Sequence, residues 1–377
     1  MSAEHDSSDP ELLDLLLAEI DRDGPVCFAR FMELALHHPE HGYYAGGERR
    51  LGPQGDFFTA SDLGPAFGRA LARQVAEVAA RCGPAADTFA VIEFGAGRGL
   101  LARDVLDALA LDHAALAART RYTMVESSPA MRQAASARVP EACVLEPGRL
   151  APAGLGCVLA VELFDALPVH RLKRRGGDLV ELCVGRDGAG RLVPVESEPC
   201  SDAVAWAERY GAAAEEGMEA EAARGAGELL AELARAIERG VCIIIDYGDR
   251  AERLYTADRR RGTLLAYHAH TTSEDYLARV GRQDLTSHVN FSALEDHARL
   301  LGLDVLGLTT QDRFLIGNGL LEEFDGAARD PAAVRRRLKA LQLLHPLGMG
   351  RMFRVLALGK GLDPPPRLSG LVDPFAR

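Results

Sequence analysis

The clearest chemical pattern is an acidic side chain followed by three alternating glycines at the end of a short apolar run. Residues 91–99 contain, in order, Glu93, Gly95, Gly97 and Gly99. Glycine permits a positive φ and lets the backbone approach a bound molecule without a Cβ in the way. An apolar strand, a glycine turn and a helix in this order predict a ligand site beyond the carboxyl end of a strand in an open α/β sheet.

The spacing of these glycines distinguishes between classes of ligand. The dinucleotide-binding pattern G-x-G-x-x-G needs glycine where this chain has Leu100, and no G-K-[ST] sequence is present to form a phosphate-binding loop. The pattern E-x-G-x-G-x-G is instead the first motif of class I S-adenosylmethionine-dependent methyltransferases. Such a site holds a sulfonium cation and an amino acid, which suits the acidic Glu93. We therefore expect S-adenosylmethionine as the cofactor, bound by Glu93 and the three glycines.

A second carboxylate follows the next apolar run, residues 122–125. Glu126 stands directly after this run, where a carboxylate can accept hydrogen bonds from both ribose hydroxyls of the cofactor. The alternative is that Glu126 only starts the helix that begins near Ser128 and Pro129. The glycine turn at the end of the preceding strand favours cofactor binding.

Glu162 and Asp165 stand three residues apart after another apolar run, residues 157–161. Methyl transfer is an in-line displacement, so most of the catalysis is positioning. If the acceptor is an arginine, its guanidinium must be aligned and must lose a proton, and two carboxylates can bind its planar fork through charge-assisted hydrogen bonds. The alternatives are that Asp165 caps the next turn and that Glu162 only orders the loop.

These segments resemble the MidA-type family of class I methyltransferases, whose mitochondrial members are protein arginine methyltransferases needed for the assembly of respiratory complex I. The resemblance covers nearly the whole chain, from about Pro25 to Gly361. Its motifs are residues 38–44, 55–61, 67–68, 93–99, 162–170, 245–248, 284–291 and 353–360.

The resemblance implies a protein substrate that bears arginine. It also implies a loop at residues 55–61 that closes over the cofactor. Phe57 and Thr59 are predicted to contact the cofactor, with a simple core role as the alternative for Phe57. Asp246 either touches the site or only ends its strand. Asp284 and His288 are expected in a substrate wall, with a purely structural role as the alternative for His288.

Two alternatives for the function stay open. Val161 stands where the family often has Asn or His, and Asn290 stands where it usually has Asp. These departures leave a small-molecule acceptor open. The other alternative is an assembly factor that binds S-adenosylmethionine and a partner without turnover, although the presence of both Glu162 and Asp165 argues against it.

The elements that must position these residues follow from the hydrophobic pattern. Continuous apolar strands that alternate with amphipathic helices predict a parallel sheet covered on both faces. The expected strands lie at residues 89–92, 122–125, 157–161, 241–245, 305–308 and 355–358. We expect an α/β class I methyltransferase fold, which is Rossmann-like. It should have a mostly parallel seven-stranded sheet with an antiparallel last pair, an N-terminal helical segment and insertions that form the substrate domain.

The predicted domain boundaries follow the same patterns. The methyltransferase core is expected at residues 66–172, 240–250 and 286–361, with a helical insertion at 325–346. The remaining segments are an N-terminal helical segment with the cofactor-covering loop (1–65), an insertion of hairpins and an acidic helix (173–239), a polar insertion (251–285) and a tail (362–377). Hairpins are expected within residues 172–199, helix is expected over 206–240, and the prolines at 364–366 predict a disordered tail.

Composition disfavours several classes of function. The chain has 43 basic and 55 acidic residues, so its net charge of −12 gives no overall attraction to nucleic acid. Seven cysteines are scattered without a C-x-x-C pair, and His268 and His270 have no third ligand at metal spacing, so no metal site is expected. No apolar run approaches the ~20 residues of a membrane-spanning helix, and no targeting segment is evident at the start. We expect a cytoplasmic protein.

Overall fold

The structure is a computed structural model that describes residues 7–50, 59–83, 86–324 and 331–375. Phe57 therefore lies outside the described residues. The chain divides into two compact units. Unit 1 comprises residues 1–57, 164–227 and 248–294. Unit 2 comprises residues 58–163, 228–247 and 295–377.

The α-helices of the described residues are, in chain order, α1 (Pro10–Asp23), α2 (Phe28–His37), α3 (Ala66–Cys82), α4 (Leu100–Asp112), α5 (Ala114–Ala117), α6 (Pro129–Arg138), α7 (Ser201–Tyr210), α8 (Ala226–Arg235), α9 (Ala251–Leu254), α10 (Phe291–Leu300), α11 (Gln311–Gly317), α12 (Pro331–Leu344) and α13 (Met349–Met352). Short 3-10 helices lie at Tyr43–Arg50, Ala60–Leu63, Ala257–Arg259, Leu320–Phe324 and Ser369–Leu371. Across the described ranges, no helix has the length and apolar character needed to cross a bilayer.

The strands are β1 (Phe89–Phe94), β2 (Thr120–Val125), β3 (Cys143–Leu145), β4 (Ala153–Val161), β5 (His170–Arg175), β6 (Asp178–Arg186), β7 (Leu192–Ser197), β8 (Glu219–Ala222), β9 (Ile237–Asp249), β10 (Leu265–His268), β11 (Thr271–Ser273), β12 (Asp284–Thr286), β13 (Val289–Asn290), β14 (Asp304–Thr310) and β15 (Phe353–Lys360).

Unit 2 is built on a large sheet with the strand order β14-β15-β9-β4-β1-β2-β3. The strands from β9 to β3 pair in parallel, whereas β15 runs antiparallel to both β9 and β14. This confirms the predicted α/β fold, with its mostly parallel seven-stranded sheet and antiparallel last pair. The short β13 pairs in parallel with Gly248 and Asp249 at the end of β9, and all of these residues belong to unit 1.

The core of unit 2 explains why these strands are continuous apolar runs. Val91 of β1, Leu159 of β4 and Ile243 of β9 are almost fully buried, as are Phe67 and Leu71 of α3. Each such side chain contributes about 1.5–3 kcal/mol relative to an exposed one. Because apolar contacts hold the strands in place, polar side chains are left to the strand ends, where the candidate site lies.

Unit 1 holds two smaller antiparallel sheets, with the orders β7-β6-β5-β8 and β11-β10-β12. The β5-β6 and β6-β7 hairpins confirm the prediction for residues 172–199. Helix α1 begins where Asp9 accepts a hydrogen bond from the Leu12 N–H and Pro10 occupies the first turn. Its side chains Leu12 and Leu16 are buried in a core of this unit.

The prediction of helix over residues 206–240 is wrong for part of the segment. The segment contains the end of α7, the strand β8, the helix α8 and the start of β9. Strand β8 pairs antiparallel with β5, with Ala220 opposite Leu172. Both side chains lie in a small buried cluster, so tertiary packing overrides the helical propensity of this Ala- and Glu-rich stretch.

The prediction of a disordered tail is also wrong for the part of the tail that the structure describes. Leu368 is buried in the core of unit 2, and the 3-10 helix Ser369–Leu371 follows it. The Ser369 N–H donates to a Glu77 carboxylate oxygen at 2.8 Å, and the Gly370 N–H donates to Gln74 Oε1 at 3.2 Å. This segment is therefore fixed by hydrogen bonds to α3 and by a buried leucine, although its prolines suggested that it was disordered.

Candidate active site

The glycine turn lies between β1 and α4 in unit 2. Gly95, Gly97 and Gly99 have φ of 70°, 51° and 72°, a region that favours glycine. The Gly95 N–H donates to the Val125 carbonyl at 2.9 Å, so the turn is fixed to the end of β2. A Cβ built on Gly97 would meet no other atom within 4 Å, so space adjoins the backbone at that position.

Glu126 is the first residue after β2, and its carboxylate is held by backbone groups. Oε2 accepts the Gly97 N–H at 2.8 Å, and Oε1 accepts the Ser128 N–H at 2.8 Å. Ser127 Oγ is a further, longer donor to Oε1 at 3.4 Å. An ionised carboxylate has about four acceptor positions, so Oε2 retains capacity for another donor. The structure therefore brings the two motifs of the predicted cofactor site into direct contact.

Glu93 lies one residue before the end of β1 and is buried. The Tyr122 hydroxyl donates to Glu93 Oε2 at 2.7 Å. Burial raises the pKa of Glu93 to about 8, against the lowering effect of this hydrogen bond, and the nearby Glu126 carboxylate raises it further. Burial thus favours the protonated form of Glu93, and a bound cation would favour its ionised form.

Glu162 is the first residue after β4. Its φ is 52°, which is uncommon for a residue with a side chain and is often found at functional sites. The Glu162 N–H donates to the Ile245 carbonyl at 2.9 Å, and Glu162 Oε1 accepts the Ala60 N–H at 2.8 Å. The backbone of Ala60 thus holds the Glu162 carboxylate at the carboxyl edge of the sheet.

Asp246 lies on β9, the strand next to β4, and is fully buried. Its Oδ2 accepts the Leu163 N–H at 3.1 Å, and its Oδ1 accepts the Tyr247 N–H at 2.8 Å. The prediction left open whether Asp246 touches the site or ends its strand. The structure gives it a contact with the residue after Glu162, which orders that loop.

Thr59 caps the 3-10 helix Ala60–Leu63, and its contact with the cofactor stays a prediction. The Thr59 N–H and hydroxyl both donate to Asp62 Oδ2, at 3.1 and 3.0 Å. Asp62 Oδ1 also pairs with Arg98 of the glycine turn at 2.6 Å. Sequence reasoning missed Asp62 and Arg98, although the T-x-x-D spacing of a capping box is visible in the sequence.

Asp165 belongs to unit 1, where it is buried. Its backbone carbonyl accepts the Ser287 N–H at 2.9 Å. The Tyr44 hydroxyl donates to Asp284 Oδ1 at 3.0 Å. Burial raises the pKa of Tyr44, and the charges of Asp284 and Asp165 add to that effect. Asp165 thus lies in an acidic group with Asp284, which the sequence did not connect to it.

Within unit 2, the carboxyl edge of the large sheet is acidic. Four neighbouring parallel strands, β9, β4, β1 and β2, carry an acidic residue at or near their carboxyl ends. These residues are Asp246, Glu162, Glu93 and Glu126. An edge with several carboxylates and an open glycine turn suits a ligand with positive charge and hydroxyl donors. Both features belong to S-adenosylmethionine.

The match to a known family covers most of the large sheet. Residues 70–309 match a family described as "Putative S-adenosyl-L-methionine-dependent methyltransferase". The matched range contains the glycine turn, Glu126, Glu162 and Asp246.

Relatives and solved structures agree with this match. The chain is 30% identical to the mitochondrial protein arginine methyltransferase NDUFAF7 homolog of Drosophila melanogaster, over 96% of this chain and 87% of that protein. It is 29% identical to mitochondrial NDUFAF7 of Mus musculus, over 92% of this chain and 84% of that protein. A solved structure from Burkholderia thailandensis, bound to S-adenosyl-homocysteine, is similar at 31% identity and a TM-score of 0.85, covering 96% of this chain and 94% of that chain.

Proposed function

Because the chain belongs to the MidA-type family of S-adenosylmethionine-dependent methyltransferases, we propose that its methyl acceptor is an arginine side chain of a protein. The enzyme class and the cofactor follow from the family. The acceptor is our proposal, and it is supported by the relatives named protein arginine methyltransferases and by the carboxylate at Glu162.

We assign the binding of the cofactor to the glycine turn and to Glu126. Backbone at Gly95, Gly97 and Gly99 would border the cofactor, and the free acceptor capacity of Glu126 Oε2 suits a ribose hydroxyl. Glu93 would face the positive part of the cofactor. The roles of Phe57 and Thr59 stay predictions, and for Thr59 the contacts with Asp62 favour a role in ordering the loop.

The observation that carries the arginine proposal is the position of the Glu162 carboxylate. It lies directly beyond the carboxyl end of β4, is held by the Ala60 N–H and sits on a strained backbone. S-adenosylmethionine supplies a methyl group activated by a sulfonium. We assign Glu162 to align a guanidinium and to accept the proton that its nitrogen would lose on methylation, in which the N–C bond would form as the methyl–sulfur bond breaks and a neutral thioether leaves.

Asp165 is proposed as a second carboxylate that helps to hold the guanidinium. Its burial and its place beside Tyr44 and Asp284 support a group of acidic side chains suited to a cation. The alternative from the sequence, that Asp165 only orders its loop, is supported by the hydrogen bond between its carbonyl and Ser287.

The two departures from the family do not favour a small-molecule acceptor. Asn290 Oδ1 accepts the Ala293 N–H at 3.2 Å, so it caps α10, a role that Asp fills equally well. Val161 pairs in register with Ile245 and packs against the core of unit 2. Both residues thus have local structural roles that explain them without reference to the acceptor.

We propose the cytoplasm or another reducing compartment as the site of action. All seven cysteines are free thiols, which suits such a compartment. The named relatives are mitochondrial, so a reducing mitochondrial compartment fits equally. A protein substrate and no nucleic-acid partner are proposed on the basis of the relatives' names and the net charge of −12.

Labelling of a cell lysate tests the acceptor. Lysate proteins are incubated with the purified chain and S-adenosylmethionine that carries a deuterated methyl group, and peptides are examined by mass spectrometry. We expect the label on arginine in a small number of proteins. The matched control is Glu162→Gln at the same concentration and incubation time, which should label the same peptides far more weakly.

Two results would contradict the proposal. Label that is found only in low-molecular-weight metabolites would establish a small-molecule acceptor. Tight binding of S-adenosyl-homocysteine by calorimetry without any labelled product would instead support the assembly factor, because the cofactor site would be intact without turnover.

A further inference from the structure

A cysteine, a histidine and a glutamate converge in unit 1, outside the proposed methyl-transfer site. One potential ligand atom from each of Cys27, His170 and Glu181 lies within 4.8 Å of the other two. His170 Nδ1 lies 2.7 Å from Glu181 Oε1. The His170 and Glu181 side chains are 14% and 4% exposed, and Cys27 is half-buried. Among the described residues, no Lys or Arg forms an ion pair with Glu181.

Three separate elements hold these side chains in place. Cys27 precedes the first residue of α2, His170 begins β5 and Glu181 lies on β6. The segment before α2 is joined to β6 by two backbone hydrogen bonds between Val26 and Val184, at 2.8 and 2.9 Å. Since β5 and β6 pair directly, all three positions are fixed by backbone hydrogen bonds.

Thiolate, imidazole and carboxylate are the three side-chain types that bind Zn²⁺, with metal–ligand bonds of about 2.0–2.3 Å. In a tetrahedral site such bonds put neighbouring ligand atoms roughly 3.3–3.8 Å apart. The present separations differ from that by no more than about 1 Å, which side-chain rotation can supply. One thiolate and one carboxylate would also balance the charge of the ion, and the amino end of α2 favours the thiolate.

We propose that Cys27, His170 and Glu181 form a zinc site with three protein ligands and a fourth position open to water or another donor. The sequence predicted no metal site, because these residues are far apart in the chain and show no ligand spacing. The site accounts for a buried carboxylate whose side-chain partner, within the part of the chain that the structure describes, is an imidazole.

Two other interpretations of the cluster are tested by the same experiment. A nucleophilic Cys-His-Glu triad would use the same three side chains without binding zinc. A simple His–Glu ion pair explains the 2.7 Å contact but gives no role to the nearby cysteine. The experiment must exclude both.

Zinc binding by the full chain tests the proposal. The protein is purified with a chelator, dialysed, and titrated with zinc in competition with a chromophoric chelator. We expect one zinc ion per wild-type chain, and a loss of affinity of at least ~100-fold in Cys27→Ser, His170→Gln and Glu181→Gln. Cobalt should give a sulfur-to-metal charge-transfer band that Cys27→Ser abolishes.

Two matched controls keep the test specific. Cys200→Ser removes an exposed thiol near Cys27, and its sulfur contacts Arg224 Nη1 at 3.5 Å. His41→Gln alters the other group of potential ligands, Asp9, Glu11 and His41. Both variants should bind zinc as the wild type does, and circular dichroism should be unchanged in every variant.

Three results would overturn the proposal. Absence of stoichiometric zinc in the wild type would leave only the His–Glu ion pair. Unchanged affinity and an unchanged cobalt spectrum in a folded Cys27→Ser would exclude the thiol. An equal loss of zinc in Cys200→Ser would contradict the assignment of three ligands.

Discussion

The glycine turn and the loop after β4 both contain residues with positive φ angles, but the types of these residues and their roles differ. In the turn, the residues with positive φ are glycines, and open space adjoins Gly97. In the loop, Glu162 itself has a φ of 52°, at a cost of about 1–2 kcal/mol, and its carboxylate is held by Ala60. One region supplies room for a ligand, and the other holds a charge at a strained position. Binding and turnover should therefore separate by mutation.

The largest expected effect is on ligand binding at the turn. Gly97→Val adds a branched side chain in the left-handed region and fills the space beside the backbone, so affinity for S-adenosyl-homocysteine should fall by more than about 1,000-fold. Calorimetry measures this. Gly302→Val is the control, because Gly302 has a similar φ of 71° and open space but lies before β14, at the opposite edge of the sheet. Equal loss in both variants would point to misfolding rather than to a blocked site.

The second effect should fall on turnover. Glu162→Gln keeps the shape and removes the charge, so single-turnover methylation should slow by ~100-fold or more while affinity for S-adenosyl-homocysteine changes little. The acceptor is the one that lysate labelling identifies. Wild-type turnover in this variant would remove the carboxylate from the mechanism and leave Asp284 or His288 as the next candidates.

The third effect concerns the pH dependence of stability at the turn. The pKa of Glu93 is about 8 in the folded protein and 4.5 in an unfolded chain, so the folded state keeps a proton that the unfolded state releases. Stability therefore falls as pH rises between these values, by about 1.4 kcal/mol per pH unit. Urea unfolding near pH 6 and pH 7 should show this loss in the wild type and not in Glu93→Gln. Parallel pH profiles for the two proteins would contradict the assignment.

The smallest effect is expected at Asp165. Asp165→Asn keeps the backbone contact with Ser287 and removes one charge, so turnover should fall by less than the ~100-fold expected for Glu162→Gln. The same single-turnover assay compares the two variants directly. A loss as large as that of Glu162→Gln would make Asp165 an equal partner in holding the guanidinium.

The sequence predicted best those structural features that depend on residues close together in the chain. The glycine turn and Glu126 follow directly from strand-turn-helix patterns, and the structure joins them through the Gly97 N–H. The large sheet follows from apolar runs whose burial is nearly complete. Strand β8 was missed because its Ala- and Glu-rich sequence favours helix and only pairing with β5 makes it a strand.

Contacts between residues that are far apart in the chain could not be predicted from the sequence. The hydrogen bond from Ala60 to Glu162, the pair of Asp62 with Arg98, and the cluster around Cys27 each join residues that no spacing rule relates. Such contacts depend on how the sheet brings its loops together. The capping box at Thr59 is an exception, because its spacing is local.

The packing of residues 368–371 on α3 has a consequence for biosynthesis. Gln74 is fully buried, and its side-chain Oε1 accepts the Gly370 N–H; a Cβ at Gly370 would lie 2.6 Å from that oxygen. Helix α3 emerges from the ribosome long before its partner segment. Unit 2 therefore cannot complete this part of its core until translation has passed residue 370. Until then the polar groups of the nascent helix are hydrogen-bonded to water. Stalled or shortened chains that lack this segment should be targets for chaperones and proteases.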